Sequence, residues 1–413
     1  MTTPAGGSLQ PRSFAALRNP GFRALFVMNM LTMMADNIEH VVSYWVMFQK
    51  FHSPSLGGIA MLTHWIPFLL FSVWSGSLAD RWDARRMIQI GLALFMAVTL
   101  GWGLLFYADR AEMWHAALLL SVHGFAGVFW FPASMLLIQR TVGPAELQSA
   151  VRLNSTGLML GIFLGPAVGG ALMIGFGPAV GLLVNTAFYL PFFVWLMRAP
   201  HGRRSAEVAA HAANARREGL LETLREAARN RPIALMLLLA AVSSFFVGNG
   251  FQPQMPEFAR DLHTGNEDLS YSVLLGASAG GALFGGLLLE SRGLLRASPR
   301  TAIALALLWS LAMIGFALTT SYAVAVALML VAGFLNLAFM SMAQTLVQLN
   351  APPHMQGRIA GLFAMAANGM RAFSGITIGM LGGVVGVHSS LAMSAGALLV
   401  GTLVLGSLAM RLR

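Results

Sequence analysis

The chain of 413 residues is 57% hydrophobic and only 10% charged, with a mean hydropathy of +0.69. Soluble domains carry about 25% charged residues, so this composition excludes an ordinary soluble protein and indicates a polytopic membrane protein. Cysteine is absent, which excludes disulfide bonds and thiolate metal sites.

Residues 1–20 lack the apolar core of a cleavable signal peptide, so none is predicted. Further along, twelve apolar stretches reach the roughly 20 residues that a membrane-spanning helix needs. Spans 1 to 6 are predicted near residues 24–47, 56–79, 87–107, 113–138, 150–173 and 177–197. Spans 7 to 12 are predicted near residues 233–255, 269–290, 300–319, 322–347, 357–380 and 388–410.

The basic residues predict the orientation of these spans. With the N-terminus in the cytoplasm, 22 of the 26 basic residues fall on the cytoplasmic side. This bias follows the positive-inside rule, so both termini are expected in the cytoplasm and the protein in a bacterial-type inner membrane. The net charge of +10 is therefore explained by topology and indicates no nucleic-acid partner.

One long polar interval, residues 199–231, divides the spans six and six. Its second part, EGLLETLREAARN, spaces leucine and alanine as a surface helix does. We therefore expect an all-α membrane protein with a first bundle over 1–198, a cytoplasmic linker over 199–231 and a second bundle over 232–413. Two such halves are typical of a transporter whose site lies between them near the bilayer midplane.

The sequence GSLADRWDARR follows span 2. Its glycine permits close approach of two helices, while an acid and clustered arginines at a short turn can form an ion-pair latch. The pattern resembles the loop 2–3 signature of the major facilitator superfamily, although Asp83 stands where that pattern often has glycine. The expected latch residues are Gly76, Asp80, Arg81, Arg85 and Arg86.

Span 5 contains GIFLGPAVGG, in which glycines recur every fourth residue and a proline bends the helix. It resembles the span 5 motif of exporters and antiporters in the same superfamily, and its residues are Gly161, Gly165, Pro166 and Gly169. The segments FRALFVMNMLTMMADN, FPASMLLIQRTVGPAELQSAVRLNS and LNAPPHMQGRIAGLF are similar to an efflux subgroup that includes macrolide and siderophore (enterobactin-type) exporters. The resemblance implies two pseudo-symmetric six-helix bundles, with spans 1, 4, 7 and 10 lining a central cavity.

Span 1 carries polar side chains at membrane depth, where charge is costly and usually functional. At 100° per residue, they fall within one sector of about 100° around the helix. These residues are Asn29, Thr32, Asp36, Glu39, His40 and Ser43. We expect Asp36, Glu39 and His40 to bind and release protons, and Asn29 and Thr32 to face the substrate.

Polar or aromatic residues of other spans are expected to face the same cavity. They are His64, His123, Trp130, Asn249, Asn336, Gln344 and Arg371. Many drug/proton antiporters of the resembled family carry an arginine within span 4, whereas this chain offers His123 there and departs from that pattern.

These features predict a secondary active transporter that exports a small lipophilic compound, such as a drug or a siderophore-like metabolite, in exchange for protons. The alternative is a divalent metal-ion exporter that uses the cluster of Asp36, Glu39 and His40 with the nearby histidines. A receptor on a transporter fold and an enzyme are both disfavoured, since no phosphate-binding loop or nucleophile motif is present. The expected partners are protons, the substrate and the lipid bilayer, with no cofactor and no second protein chain.

Overall fold

The computed structural model describes residues 14–51, 54–198, 220–262, 267–292, 295 and 297–411. Within these ranges the chain is helical apart from short connections, and no strand occurs. The architecture is the predicted one, with twelve membrane-spanning helices in two six-helix bundles.

The first three spans are the helices Pro20–Phe51, Pro54–Arg81 and Ala84–Tyr107. Spans 4, 5 and 6 follow as one helical run, Met113–Asn185, which continues through a 3-10 turn into Leu190–Arg198. Non-helical backbone at Gly143 and Gly177, each with positive φ, divides the run into three spans. Each of these glycines precedes a proline, and that order suits the end of one helix and the start of the next.

The linker helix predicted from EGLLETLREAARN is present as Leu220–Arg229, while residues 199–219 lie outside the described ranges. Spans 8, 9, 10 and 12 are Glu267–Ser291, Pro299–Leu318, Tyr322–Asn350 and Val387–Arg411. Side chains cap two of the helix starts, since Asn230 accepts from the backbone of Ile233, and Ser298 accepts from that of Thr301. Such caps satisfy N–H groups that have no partner in the first turn.

Spans 7 and 11 depart from the predicted continuous helices. Span 7 is helical over Arg231–Phe246, then passes through turns to the short helix Met255–Asp261. Span 11 begins as Gln356–Ala364 and contains two π-helical segments, Met365–Gly369 and Gly375–Met380. Such segments are rare and are frequently found at functional sites.

Among the described residues, six helices are long and apolar enough to cross a membrane. They are Ala84–Tyr107, Met113–Arg198, Val273–Ser291, Pro299–Leu318, Tyr322–Asn350 and Val387–Ala409. The run Met113–Arg198 counts once among them although its glycine breaks divide it into spans 4, 5 and 6. The described part of the chain therefore has the length and apolar character of a multi-pass membrane protein.

Each bundle has its own apolar core. In the second bundle the core surrounds the fully buried rings of Trp309, Phe316 and Phe339. In the first bundle one core surrounds Phe22 and Phe192, and a separate one surrounds Trp102. The core of the second bundle also includes Val73 and Met135 of the first half, so the two halves pack against each other in this conformation.

Candidate functional site

Three side chains of span 1 and span 4 form a hydrogen-bonded chain inside the first bundle. His123 Nε2 lies 2.7 Å from Asp36 Oδ1, and His123 Nδ1 lies 3.0 Å from Glu39 Oε1. Carboxylate oxygens only accept hydrogen bonds, so an imidazolium that donates from both nitrogens fits this arrangement. We refer to Asp36, His123 and Glu39 as the relay.

The relay runs from the cavity into the protein. The Asp36 side chain is 18% exposed, the His123 side chain 2%, and the Glu39 side chain is fully buried. Thr99 of span 3 donates its hydroxyl to Glu39, which gives the innermost carboxylate a second partner. Asp36 is therefore the most exposed member of the relay and Glu39 the most deeply buried.

Two further histidines lie beside the relay. His40 Nδ1 donates to the backbone oxygen of Asp36 at 2.8 Å, so the lone pair of a neutral His40 is on Nε2. That nitrogen is 3.3 Å from His64 Nδ1 of span 2. One ring nitrogen from each of His40, His64 and His123 lies within 4.8 Å of the other two. These three histidines come from spans 1, 2 and 4, and the structure brings their rings together.

Arg371 reaches the same region from the second bundle. Its guanidinium carbon is 5.1 Å from the ring centre of Trp65, and the Trp65 ring is in edge contact with that of His64 at 4.4 Å. Trp65 thus separates the cation of span 11 from the histidines of span 2 and span 4. The site spans both halves of the molecule.

Other expected substrate-facing residues are placed differently. Asn29 is buried and donates to Asn154 of span 5 at 2.8 Å, and the buried Thr32 hydroxyl donates to the backbone oxygen of Met28. Trp130 is 5% exposed and packs in the core of the first bundle. The structure therefore places these three in helix packing rather than beside the relay.

On spans 7 and 10, Asn249 lies in the turn that interrupts span 7, and Asn336 and Gln344 are half-buried on span 10.

Thr99, which donates to Glu39 of the relay, was not predicted from the sequence. A lone hydroxyl within apolar span 3 gives no signal in sequence, because threonine is common in transmembrane helices as a packing residue.

The predicted latch joins span 2 to span 11. Asp80 accepts from the backbone N–H groups of Gly357 at 2.6 Å and Arg358 at 2.9 Å, and from Arg358 Nε at 3.3 Å. A Cβ built on Gly76 would overlap the Gly357 carbonyl oxygen and lie 2.9 Å from the Cα of Gly361. Glycine at 76 therefore lets the two backbones touch.

The arginines expected in the latch lie at the loop between spans 2 and 3. Arg85 pairs with Asp83 of its own loop at 2.6 Å, and the side chains of Arg81 and Arg86 are exposed. The carboxylate of Asp80 and the backbone of span 11 form the latch, and Arg358 is the cation that joins them. We call the side of the molecule that carries this latch the latch face.

A second connection closes the latch face between spans 5 and 8. Arg152 donates to the backbone oxygen of Leu289 at 3.1 Å. Glu290 accepts from the Ser149 hydroxyl and from the backbone N–H of Phe14 at 2.9 Å. At the opposite face, Lys50 lies 2.7 Å from Asp109 and holds the pKa of that exposed carboxyl below its usual range. That pair joins spans 1 and 3 of one half only.

The span 5 motif packs against span 1 behind the relay. A Cβ on Gly161 would lie 2.5 Å from the backbone oxygen of Met30, and one on Gly165 would lie 2.6 Å from the Cβ of Asn37. Gly169 contacts Ile38 at ordinary distance, and Pro166 is exposed within the helix. The glycines thus set the distance between span 5 and the helix that carries Asp36 and Glu39.

Replacement of Gly161 with valine is expected to destabilise the protein, because the added side chain must push span 1 away. Overpacking of this kind costs about 1–3 kcal/mol. Thermal unfolding of the purified protein in detergent measures the loss. Gly170→Val is the matched control, since nothing lies within 4 Å of a Cβ at that position. Equal unfolding temperatures for the two variants would contradict the packing role.

The chain is similar to known transporters. The family model described as the Major Facilitator Superfamily matches residues 25–375. The chain belongs to the major facilitator superfamily. It is 26% identical over 212 residues to the uncharacterized MFS-type transporter YfiS of Bacillus subtilis, covering 48% of this chain and 47% of that protein. It is 21% identical over 165 residues to the staphyloferrin A transporter of Staphylococcus aureus, covering 40% and 42%.

These matches cover less than half the length of either relative. Among solved structures, an outward-facing bacterial homologue of the iron transporter ferroportin with soaked iron superposes with a TM-score of 0.72 at 15% identity, over 94% of this chain and 98% of that one. At this identity the similarity concerns the fold alone. The chain is therefore a multi-pass membrane protein of the major facilitator superfamily.

Proposed function

We propose that this major facilitator protein exports a small lipophilic organic compound in exchange for protons across a bacterial inner membrane, with both termini in the cytoplasm. The observation that carries the proposal is the relay, two carboxylates held on opposite nitrogens of one buried histidine. Groups that titrate at membrane depth are costly and usually serve an ion pathway. A purely structural triad would not need an end that is open to the cavity.

The halves 1–198 and 232–413 rock about the linker 199–231 in this proposal. With both termini in the cytoplasm, the latch face is the cytoplasmic one, so the conformation with Asp80 bound to span 11 is closed to the cytoplasm. In this outward-facing state a proton reaches Asp36 and cancels its attraction for His123. The rearranged relay then favours opening of the latch face, where the proton leaves and the cargo binds.

An organic cargo is supported by the aromatic lining and by one relative. Trp65, Phe71 and Trp74 of span 2 make ring contacts with His64, Phe125 and Phe129, and such surfaces bind flat apolar compounds. The staphyloferrin A transporter, whose name states a siderophore cargo, matches part of the chain. A drug or a siderophore-like metabolite therefore suits the cavity.

The cargo can be sought with a deletion strain and a panel of antibiotics and secreted metabolites. A compound that the strain fails to export is then loaded into proteoliposomes, and its efflux is measured with and without a pH gradient. Asp36→Asn is expected to remove the dependence on the gradient, because an amide cannot take up the proton. Asp109→Asn, which alters an exposed acid outside the relay, is the control. Unchanged gradient dependence in Asp36→Asn would refute proton exchange at the relay.

The second candidate is export of a divalent transition-metal ion, and the three histidines favour it. Two nitrogens bound at 2.0–2.1 Å to a tetrahedral ion are about 3.3–3.4 Å apart, and His40 Nε2 and His64 Nδ1 are 3.3 Å apart. Asp36 would be the fourth ligand, and Glu39 would orient His123 through its other nitrogen, as carboxylates do beside zinc-bound histidines. The ferroportin homologue with soaked iron shares the fold.

Binding of Co²⁺ distinguishes export of a metal ion from export of an organic compound. If a metal is the cargo, Co²⁺ added to the purified protein is expected to give the intense visible spectrum of a tetrahedral site at one equivalent. His64→Ala should weaken this binding by at least about tenfold, since one of the few ligands is lost. His388→Ala, in the other half and beside Asp261, is the matched control. A colourless, non-saturable titration of the wild type would eliminate the metal candidate.

A further inference from the structure

Arg371 is a cation at membrane depth that none of the described carboxylates neutralises. It lies in span 11 between the two π-helical segments, and its side chain is half-buried. Its Nε is buried and has no hydrogen-bond partner, and no carboxylate of the described residues lies within 4.0 Å of the guanidinium. An arginine in such surroundings ordinarily binds an anion, because an unpaired buried charge is costly.

The backbone around Arg371 is irregular in two neighbouring spans. Span 7 leaves its helix after Phe246, and a Cβ built on Gly248, whose φ is +43, would lie 3.3 Å from the Cγ of Arg371. Thr377 Oγ1 donates to the Phe246 carbonyl at 3.0 Å, and Ser244 donates to the Ala367 carbonyl at 2.8 Å. Hydroxyl groups thus satisfy carbonyls that broken helices leave free. Interrupted helices with satisfied backbone are typical of substrate sites in transporters.

One aromatic ring lies against the guanidinium, and a second aromatic pair follows in the same segment. Trp65 lies under it at 5.1 Å, and Phe373, two residues along span 11, stacks on Phe245 with ring centres 5.2 Å apart. Arginine presents five donors in a planar fork that fits a carboxylate, and it keeps this capacity while it stacks on a ring. The combination fits an acidic group attached to a flat apolar body.

We infer that Arg371 and Trp65 form the anion subsite of the cargo, so that the exported compound is an organic anion with a carboxylate beside an aromatic or similarly flat group. This inference rests on the proposed export of an organic compound and names its chemical class. Cargo then binds between the halves, at Arg371 of the second and Trp65 of the first, while protons bind to the relay within the first. Cargo and protons then do not compete for one group. Their exchange arises because each of them favours a different conformation of the protein.

Equilibrium binding to the purified full-length protein in lipid nanodiscs tests the subsite without any gradient. The probes are 2-naphthoate, its neutral amide 2-naphthamide, and the cation 2-naphthylmethylammonium. Wild type is expected to bind naphthoate at least about tenfold more tightly than either of the others, as one charge-assisted pair provides. Arg371→Gln should remove this preference and leave naphthamide binding unchanged.

Further variants distinguish the contribution of the Arg371 charge from that of the Trp65 ring. Arg371→Lys is expected to keep part of the preference, since it keeps the charge but loses the fork. Trp65→Leu should weaken naphthoate and naphthamide alike, and Arg260→Gln, at an exposed arginine paired with acids of its own helix, should change neither. Equal binding of the three probes by wild type, an unchanged preference in Arg371→Gln, or no saturable naphthoate binding at all would each overturn the inference.

The predicted preference for naphthoate does not depend on how the relay carries protons. Asp36→Asn is expected to keep the wild-type ratio of naphthoate to naphthamide affinity, because that preference arises at Arg371 and a change of conformation affects both probes alike. If Asp36→Asn proteoliposomes keep their gradient dependence while Arg371→Gln loses the naphthoate preference, proton exchange at the relay fails and the subsite stands. The opposite pair of results refutes the subsite and leaves the relay.

Discussion

Replacement of His123 with glutamine is expected to reduce gradient-driven transport by about a hundredfold or more, the range that loss of a positioned proton carrier produces. Histidine bonds Asp36 and Glu39 at once and brings a positive charge between them. Glutamine carries no charge and its amide nitrogen cannot donate to both carboxylates through the same geometry. Glu39, which is fully buried, would then be left with Thr99 as its remaining partner.

The measurement compares gradient-driven efflux with exchange of cargo at equal pH on both sides. Loss of the first with survival of the second is the expected outcome, because exchange needs the cargo site but no release of protons. His115→Gln, at the start of span 4 and outside the relay, is the control for histidine loss. If His123→Gln still responds to the gradient, the proton route does not pass through His123.

Gly76→Val is expected to abolish transport and shift the protein toward a conformation in which the latch face is open. Valine at this position collides with the backbone of Gly357 and Gly361, neither of which has a side chain that can turn aside. Separation of span 2 from span 11 is the simplest relief, and it also withdraws Asp80 from the N–H groups that it binds.

Spin labels measure this shift without background, because the chain has no native cysteine. Labels at the exposed positions Trp82 and Leu349 report on the latch face, and labels at Asp109 and Arg260 report on the opposite one. In Gly76→Val the first distance should lengthen relative to wild type. Gly396→Val, where a Cβ meets nothing within 4 Å, should leave both distances unchanged, and a wild-type distance in Gly76→Val would contradict the latch.

Hydropathy and charge were sufficient to predict the twelve spans, because lipid imposes length and apolar character on every one of them. The interruption of span 7 was not predicted. The segment SSFFVGNGF is apolar enough to continue a helix, and two glycines at 248 and 250 are tolerated in many transmembrane helices. A Cβ built on Gly250 would lie 2.5 Å from the Ser374 carbonyl oxygen, so this close approach to span 11 depends on tertiary packing that the sequence does not reveal.

The site was predicted in outline from the angular arrangement of span 1. That reasoning groups Asn29 with Asp36 because both lie on one stripe, yet Asn29 bonds to Asn154 of span 5 and Glu39 turns inward to Thr99 and His123. A stripe of about 100° is wider than the part of a helix that a cavity touches. Residues at an edge of the stripe can therefore face a neighbouring helix, and the packing of those helices determines which residues do so.

The contact between Gly76 and Gly357 has an electrical consequence. Where two backbones touch, no file of water molecules can pass, so protons cannot leak between the halves while the latch face is closed. The membrane potential then falls across this thin dry layer, at about 2.3 kcal/mol per elementary charge for each 100 mV. A larger residue at either position would part the two backbones and admit water to this layer.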